Sequence, residues 1–169
     1  MTRDLRADPP AREWADARGP AGVTFAPLQG RPDDILERTW AAAYAPGRVD
    51  HVPGEIPLEY LDAVLSGRAA GPLRPCSIVA WSGPAPVGAV VMTDDAPPDA
   101  FVADVFRDPD PRWQGLGEAL LKRAIAAAAA SGAPTVALSV TEGNPAARLY
   151  ERLGFRIVGT RTVVQHPLR

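Results

Sequence analysis

A short segment with two glycines is the part of the chain whose composition points most directly to chemistry. Arg112-Trp113-Gln114-Gly115-Leu116-Gly117 lies where a strand is expected to give way to a helix. The first turn of a helix has N–H groups without partners and a partial positive charge, so it attracts anions. Gly115 and Gly117 have no side chains to hold a diphosphate away from the backbone, and Arg112 adds a positive charge. The segment predicts a site for a phosphate-bearing ligand; a glycine-rich helix start that binds nothing is the plain alternative.

Two other phosphate-binding patterns compare less well with this segment. A dinucleotide fingerprint needs a third Gly or Ala where this chain has Leu120, and no N-terminal βαβ unit precedes it. Glu142 lies somewhat more than about twenty residues further on, which leaves that reading weakened but open. A Walker loop is excluded because no Gly-Lys-Ser/Thr follows.

A second block of residues narrows the choice. The stretch from 138 to 155 runs from an apolar strand into Asn144, Ala147, Tyr150 and Gly154-Phe155. The pattern R-x-x-G-x-G after a strand, followed by N-x-x-A-x-x-Y-x-x-x-G-F, resembles the GNAT superfamily of N-acetyltransferases. The resemblance covers about residues 100 to 160. It implies an α/β fold with a mixed sheet, acetyl-CoA as co-substrate, and transfer of the acetyl group to a primary amine of a small molecule or peptide by direct attack in a ternary complex.

The same resemblance implies which residues hold the coenzyme. Phe106 and Arg107 would pair with the pantetheine through their backbone groups, and an N–H there would polarise the thioester carbonyl. Arg107 stands where the family more often has an apolar residue, and Trp113 replaces a small one, so it either packs over the coenzyme or faces solvent. The implied coenzyme-binding residues are Phe106, Arg107, Arg112, Trp113, Gln114, Gly115, Leu116, Gly117, Glu118, Asn144, Ala147 and Tyr150.

Three residues are candidates for proton transfer. Tyr150 is implied as the donor to the departing thiolate, because a phenol with a pKa of about 10 stays protonated beside a thiol of about 8.5; a core tyrosine is the alternative. Asp104 would attract the acceptor ammonium and accept its proton, with a solvent-facing strand aspartate as the alternative. Glu142 is the second candidate base. Asn144, directly before Pro145, is also expected to cap a helix.

The acceptor side is less specific. Trp40, Tyr44, His51, Glu55 and Tyr60 lie on the helices and loop that form the acceptor wall in the family. Aromatic rings with acidic neighbours suit a cationic amine, but helical spacing favours the core for Trp40 and Tyr44.

Composition limits the other possibilities. Cys76 is the only cysteine and His51 and His166 are the only histidines, so a metal site or a Ser-His-Asp triad is poorly supplied and none is expected. A net charge of -2 and a pI near 5.7 argue against nucleic-acid partners, including a toxin that acetylates aminoacyl-tRNA. No apolar run approaches the roughly 20 residues of a membrane span, and residues 1 to 20 lack a signal-like apolar region, so a cytoplasmic protein without membrane contact is expected. A non-catalytic acyl-CoA-binding module remains the alternative to an enzyme.

The elements that would position these residues are read from hydrophobic periodicity and from Gly and Pro stops. Residues 1 to 21 are expected to be a flexible arm, with a helical turn around 11 to 17, ahead of one domain over 22 to 169. A last strand over 156–164 leaves little room for the family's final strand, so the acceptor pocket is expected to be open or completed by a second subunit. Strands are predicted over 23–28, 77–81, 87–92, 100–106, 135–140 and 156–164, and helices over 33–45, 56–65, 115–131 and 145–153.

Overall fold

A computed structural model describes residues 1–29, 34–47, 59–94 and 99–160. It contains a single six-stranded sheet with helices packed on it. The strands are β1 (Thr2–Asp4), β2 (Val23–Pro27), β3 (Ile78–Ser82), β4 (Ala85–Thr93), β5 (Ala100–Arg107) and β6 (Thr135–Leu138). The helices are α1 (Asp34–Ala43), α2 (Glu59–Leu65), α3 (Leu116–Ala130) and α4 (Ala146–Arg152), with 3-10 helices at Arg12–Asp16 and Pro111–Trp113.

The sheet is mixed, as the sequence predicts. Its strand order is β1-β6-β5-β4-β3-β2. Only β5 and β6 are parallel, because α3 carries the chain back across the sheet between them. The predicted hairpin is the antiparallel pair β3 and β4, joined at a turn where Gly83 has a φ of 57°.

The core lies in two layers. One is dominated by α3, whose leucines and alanines at helical spacing are fully buried against the sheet. The other packs α1 and α2 on the opposite set of side chains, including Val91 and Phe106. An apolar stripe on a helix is buried by packing on an apolar face of the sheet. Because both faces of the sheet are apolar, helices cover both, and the sheet forms the middle of three layers.

The N-terminal segment differs from the sequence expectation. The sequence predicts no strand before residue 22, yet Thr2–Asp4 pairs antiparallel with β6, and Leu5 is 5% exposed in the α3-side core. A strand of three residues is too short to show an alternating hydrophobic pattern, so the sequence does not distinguish it from a polar arm. The predicted helical turn is found as the 3-10 helix at Arg12–Asp16.

The C-terminal strand predicted over 156–164 is not found in the part of it that the structure describes. Up to residue 160 the chain makes one isolated bridge, between Arg156 and Thr2, and residues 161–169 lie outside the described ranges. Ile157 and Val158, which gave the segment its strand-like composition, are 65% and 73% exposed. The apolar side chains that suggested a strand therefore do not pack on the sheet.

None of the helices in the described ranges is long and apolar enough to cross a membrane.

Candidate active site

A β-bulge in β5 determines where Asp104 points. Val91 pairs with Asp104 and Met92 with Val102, so Ala103 is an extra residue without a partner on β4. Before the bulge, Val102 contributes to the core on the α3 side; after it, Asp104 contacts residues of α1. Strict alternation would have placed both side chains on one face. The extra residue therefore turns the carboxylate towards α1.

Asp104 is buried, so it is not the solvent-facing strand aspartate that the sequence left as the alternative. It is 8% exposed, and its two carboxylate oxygens accept hydrogen bonds from two aromatic residues of α1 and its C-terminal end. Trp40 Nε1 donates to Oδ2 at 2.7 Å, and the Tyr44 hydroxyl donates to Oδ1 at 2.5 Å. Trp40 belongs to the core as expected, with 2% exposure, whereas Tyr44 is half-buried. Both nevertheless orient the carboxylate.

Tyr60 packs on one of the two aromatic residues that hold this carboxylate. Its ring stacks on Trp40 with 6.1 Å between centroids, and Trp40 lies 5.2 Å from Tyr44. Tyr60 is 45% exposed. Burial raises the pKa of its phenol, and the negative charge of Asp104 raises that pKa further. We call Trp40, Tyr44, Tyr60 and Asp104 the acceptor-side cluster; His51 and Glu55 lie outside the described residues.

The second half of β5 has an open edge. Strand β6 pairs with β5 only at Ala100–Val102, so within the described ranges the residues after the bulge have no strand beside them on that side. The Asp108 N–H donates to the Val87 carbonyl at 2.9 Å, which fixes the alternation of the ladder. It follows that the backbone groups of Phe106 face β4, whereas those of Val105 and Arg107 face the open edge. Val105 was not predicted, because periodicity gives a strand's faces but not which edge lacks a neighbour.

The Arg107 side chain turns back along the loop that follows its strand. Its guanidinium donates to the carbonyls of Asp108, at 2.7 Å, and Asp110, at 3.2 Å. The Asp110 carboxylate in turn accepts from the Arg112 N–H at 2.9 Å. These bonds hold the loop between β5 and α3, while the Arg107 backbone keeps its groups on the open edge.

The predicted phosphate-binding turn begins helix α3. Gly115 has a φ of 87°, a left-handed conformation that favours glycine. The Ala119 N–H donates to the Gly115 carbonyl as the first bond of the helix, so the N–H groups of Leu116, Gly117 and Glu118 have no acceptor within it. A Cβ added at Gly115 or Gly117 would meet no atom within 4 Å. The backbone here is open to a ligand, and its donors and helix dipole fit the diphosphate of a coenzyme.

Arg112 and Trp113 flank this turn in different ways. The Arg112 guanidinium lies 4.6 Å from the centre of the Trp113 ring, is 67% exposed and pairs with Asp110 at 3.2 Å. Trp113 is 4% exposed within the α3-side core, and its Nε1 has no hydrogen-bond partner among the described residues. The sequence left two positions open for Trp113, facing solvent or packed over the coenzyme. The buried ring occupies neither of them. Its indole instead supports the turn from beneath, and Gln114 is exposed.

Glu118 links the start of α3 to α4. It pairs with Lys122 at 2.7 Å and with Arg152 at 3.8 Å. The hydrogen bond from Lys122 is the main cause that lowers the pKa of the Glu118 carboxyl. A carboxylate in the first turn is also favoured by the helix dipole.

Helix α4 carries the second predicted set. Asn144 Oδ1 accepts from the Ala146 N–H at 2.8 Å, and the Asn144 carbonyl accepts from the Ala147 N–H at 3.0 Å. Asn144 therefore holds the first N–H groups of α4, although Pro145 is the residue directly before the helix. Tyr150 is 8% exposed in the α3-side core and meets Phe155 edge-on at 6.1 Å between centroids. Glu142 is exposed in the turn before the helix. The structure therefore puts Tyr150 and Asp104 in different core layers and leaves Glu142 at the surface.

A cluster of three or more possible metal ligands does not occur in the ranges that the structure describes.

Comparison with known proteins identifies the family that has this fold. Residues 36–155 match the sequence model of the Acetyltransferase (GNAT) family. No curated protein matches the chain. Among solved structures, it is similar to the ribosomal-protein-S18-alanine N-acetyltransferase from Escherichia coli, with 23% identity and a TM-score of 0.60 over 79% of this chain and 77% of that one.

Two further structures share the fold. A GCN5-related N-acetyltransferase from Sphaerobacter thermophilus has 21% identity and a TM-score of 0.66, covering 90% of this chain and 45% of that chain. A GNAT family acetyltransferase from Brucella melitensis, in complex with acetyl-CoA, has 21% identity and a TM-score of 0.59, covering 80% and 83%. The chain belongs to the GNAT family of acetyltransferases, and its co-substrate is acetyl-CoA.

Proposed function

We propose that this acetyltransferase transfers the acetyl group of acetyl-CoA to a primary amine of a small molecule or peptide, by direct attack in a ternary complex. The observation that carries the proposal is the buried carboxylate of Asp104, which accepts hydrogen bonds from Trp40 and Tyr44. It lies on β5 directly before the open edge of that strand. The S18-alanine enzyme of Escherichia coli is named for a protein-derived amine, which illustrates the peptide end of this range.

The acceptor-side cluster suits an incoming ammonium. At pH 7 only roughly one alkyl amine in a few thousand is neutral, given a pKa of about 10.4. Asp104 attracts the cation, and the exposed ring of Tyr60 stabilises it by cation–π contact. The proton then passes to the Asp104 carboxylate directly or through water. Glu142, exposed before α4, is the second candidate for this proton.

Two further steps, stabilising the negative charge on the thioester oxygen and protonating the departing sulfur, involve the open edge of β5 and helix α4. Acetyl-CoA supplies an activated thioester carbonyl. An N–H of Val105 or Arg107 on the open edge of β5 would donate to the oxygen that gains negative charge. The Tyr150 hydroxyl would donate its proton to the departing sulfur, because a phenol remains protonated at neutral pH.

A panel of amines tests the proposal. Polyamines, aminoglycosides, amino acids and peptide N-termini are supplied with acetyl-CoA, and free thiol release is followed. We expect turnover with at least one cationic amine and a fall in kcat/KM of about a hundredfold or more in Asp104→Asn, since a positioned base contributes roughly 10²–10⁴. Asp16→Asn, an exposed aspartate on the 3-10 helix, is the matched control. Equal activity in wild type and Asp104→Asn would remove the carboxylate from the mechanism.

Tyr150→Phe separates catalysis from simple coenzyme binding. We expect it to lower kcat by at least tenfold while acetyl-CoA still binds, because only the proton donor is lost. Wild-type protein that binds acetyl-CoA but turns over no amine would instead favour a non-catalytic acyl-CoA-binding module.

A cytoplasmic location and a homodimer belong to the same proposal as expectations from the sequence. Cell fractionation and size-exclusion chromatography test them directly.

A further inference from the structure

The N-terminal strand joins β6 to the segment that follows α4. On one side, β1 pairs antiparallel with β6. On the other, the Thr2 N–H donates to the Arg156 carbonyl at 2.8 Å, and the Arg156 N–H donates to the Thr2 carbonyl at 2.9 Å. The end of α4 is thus fixed to the sheet through residues that the sequence assigned to an arm.

Arg3, in the middle of this strand, reaches the end of α4 itself. Its guanidinium is 4% exposed and donates through Nη1 to the Leu153 carbonyl. Nη2 donates to the Asp8 carbonyl at 3.0 Å and pairs with its carboxylate at 3.1 Å. The guanidinium also lies 4.6 Å from the centre of the Trp14 ring. One buried cation therefore joins α4 to the N-terminal segment.

Electrostatics favour a cation at this position. The last carbonyls of a helix lack partners within it and carry partial negative charge, so a guanidinium there is stabilising. Burial lowers the pKa of Arg3 and Asp8 raises it, but an arginine remains charged. A buried charge is costly unless several groups compensate it. Here two carbonyls, a carboxylate and an aromatic face compensate the guanidinium, whereas its Nε has no hydrogen-bond partner among the described residues.

The contact lies close to Tyr150. The Phe155 N–H donates to the Tyr150 carbonyl at 3.0 Å, and their rings meet edge-on. Between them, Gly154 has a φ of 84°, and a Cβ there would lie 2.9 Å from Arg3 Nη1. The turn after α4 is therefore shaped around the guanidinium, and a shift of one would shift the other.

We propose that Arg3 is a positioning residue of the transfer reaction: by holding the C-terminal end of α4, it fixes the place of the Tyr150 hydroxyl. This rests on the proposed function, in which Tyr150 donates to the sulfur. Arg3 does not touch the reacting atoms, so its effect passes through the helix. Misplacing a reacting group by about 1 Å can cost up to roughly a hundredfold in rate.

A double-mutant cycle of Arg3→Met and Tyr150→Phe tests the inference. We expect Arg3→Met to lower kcat by roughly tenfold with the KM for acetyl-CoA changed by less than about twofold. In the Tyr150→Phe background it should change kcat by less than about twofold, because the group that it positions is gone. Arg3→Lys should be intermediate, since an ammonium cannot serve the Leu153 carbonyl and Asp8 with a planar fork. Arg6→Met, an exposed arginine on the same segment, is the control and should leave kcat unchanged.

The outcomes are distinct. An equal fall in kcat in both backgrounds, or no fall in Arg3→Met alone, overturns the inference. A silent Tyr150→Phe counts against the proposed proton donor, and the inference falls with it. If Arg3→Met does not fold, Asp8→Asn replaces it in the same cycle, because the Asp8 side chain is 64% exposed and its loss only loosens the guanidinium. The expected fall is then about two- to threefold, again confined to the background with Tyr150.

Discussion

Asp104 acquires its environment from one extra residue in its strand. Without the bulge at Ala103, the carboxylate would share the α3 side with Val102. The extra residue turns it towards Trp40 and Tyr44, whose polar atoms orient both oxygens. Two donors that hold a carboxylate in place lower the cost of burying it.

A titration of Tyr60 tests the electrostatic coupling within the acceptor-side cluster. In Asp104→Asn we expect the Tyr60 pKa to fall, because one of its two causes is removed, yet to stay above 10.0 because burial, the larger cause, remains. Absorbance of the phenolate against pH measures it, with Tyr60→Phe to assign the transition among the three tyrosines. Asp62→Asn, a carboxylate on the same helix as Tyr60, is the control. A Tyr60 pKa that does not move in Asp104→Asn would contradict the coupling.

At the scale of elements, the start of α3 combines two glycines with different tasks. Gly115 supplies the left-handed residue that precedes the helix, and Gly117 lies within the first turn. Both leave open space beside the backbone. Only Gly115 is required by the backbone conformation, so the two positions can be separated by mutation.

We expect Gly115→Ala and Gly117→Ala to affect stability in opposite directions. An alanine at a positive φ costs about 1–2 kcal/mol, whereas Gly→Ala within a helix gains up to about 0.5–1 kcal/mol. Both should weaken acetyl-CoA binding, because each Cβ enters the space proposed for the diphosphate. Urea unfolding of the free protein and calorimetric titration with acetyl-CoA measure the two effects. Tighter or unchanged binding in Gly117→Ala would place the diphosphate elsewhere.

The ion pair between Glu118 and Lys122 predicts a pH-dependent contribution to the stability of α3. The Glu118 pKa is lowered in the folded state, so its stabilisation is complete above the ordinary value of 4.5 and is lost as pH falls through the lowered pKa. Because the side chain is 38% exposed, we expect only about 0.3–0.5 kcal/mol. Glu118→Gln should therefore be less stable than wild type at pH 7, and the gap should close in acid. Glu151→Gln is the control, and a gap that widens in acid would contradict the sign.

At the scale of the whole molecule, the N-terminal segment takes part in the same core as α3. Leu5 lies in that core, and Arg123 of α3 donates to the Ala17 carbonyl at 2.7 Å. These contacts attach the segment before residue 22 to α3 and to the core on the α3 side of the sheet. The sequence instead predicts a flexible arm over residues 1 to 21, and mutation of one of these contacts distinguishes the two descriptions.

Leu5→Ala distinguishes an attached segment from a flexible one. A 5% exposed leucine in a core predicts a loss of about 2–5 kcal/mol, or a fall in Tm of roughly 5–15 °C, whereas a flexible arm predicts no change. Ile157→Ala, at a side chain 65% exposed, should change stability by less than about 0.5 kcal/mol. Thermal unfolding of both variants measures the difference. An unchanged Tm in Leu5→Ala would support the flexible arm.

The sequence by itself determined the features that depend on neighbours along the chain. Helical spacing and glycine stops located α3 and α4, the Asn144-Pro145 pair located a cap, and two motifs identified the family. These signals are local, because the hydrogen bonds of helix ends and turns join residues only a few positions apart.

Only the tertiary structure decided what depends on distant partners. Two such features depend on strand register: the bulge that directs Asp104 to α1 and the open edge at Val105. Two others depend on contacts between residues far apart in sequence: the burial of Trp113 and the contact of Arg3 with Leu153. A strand of three polar residues such as Thr2–Asp4 has no pattern of its own, because it exists through the edge of β6 that it covers. Register and edges are properties of the assembled sheet, and so the placement of the site became visible only there.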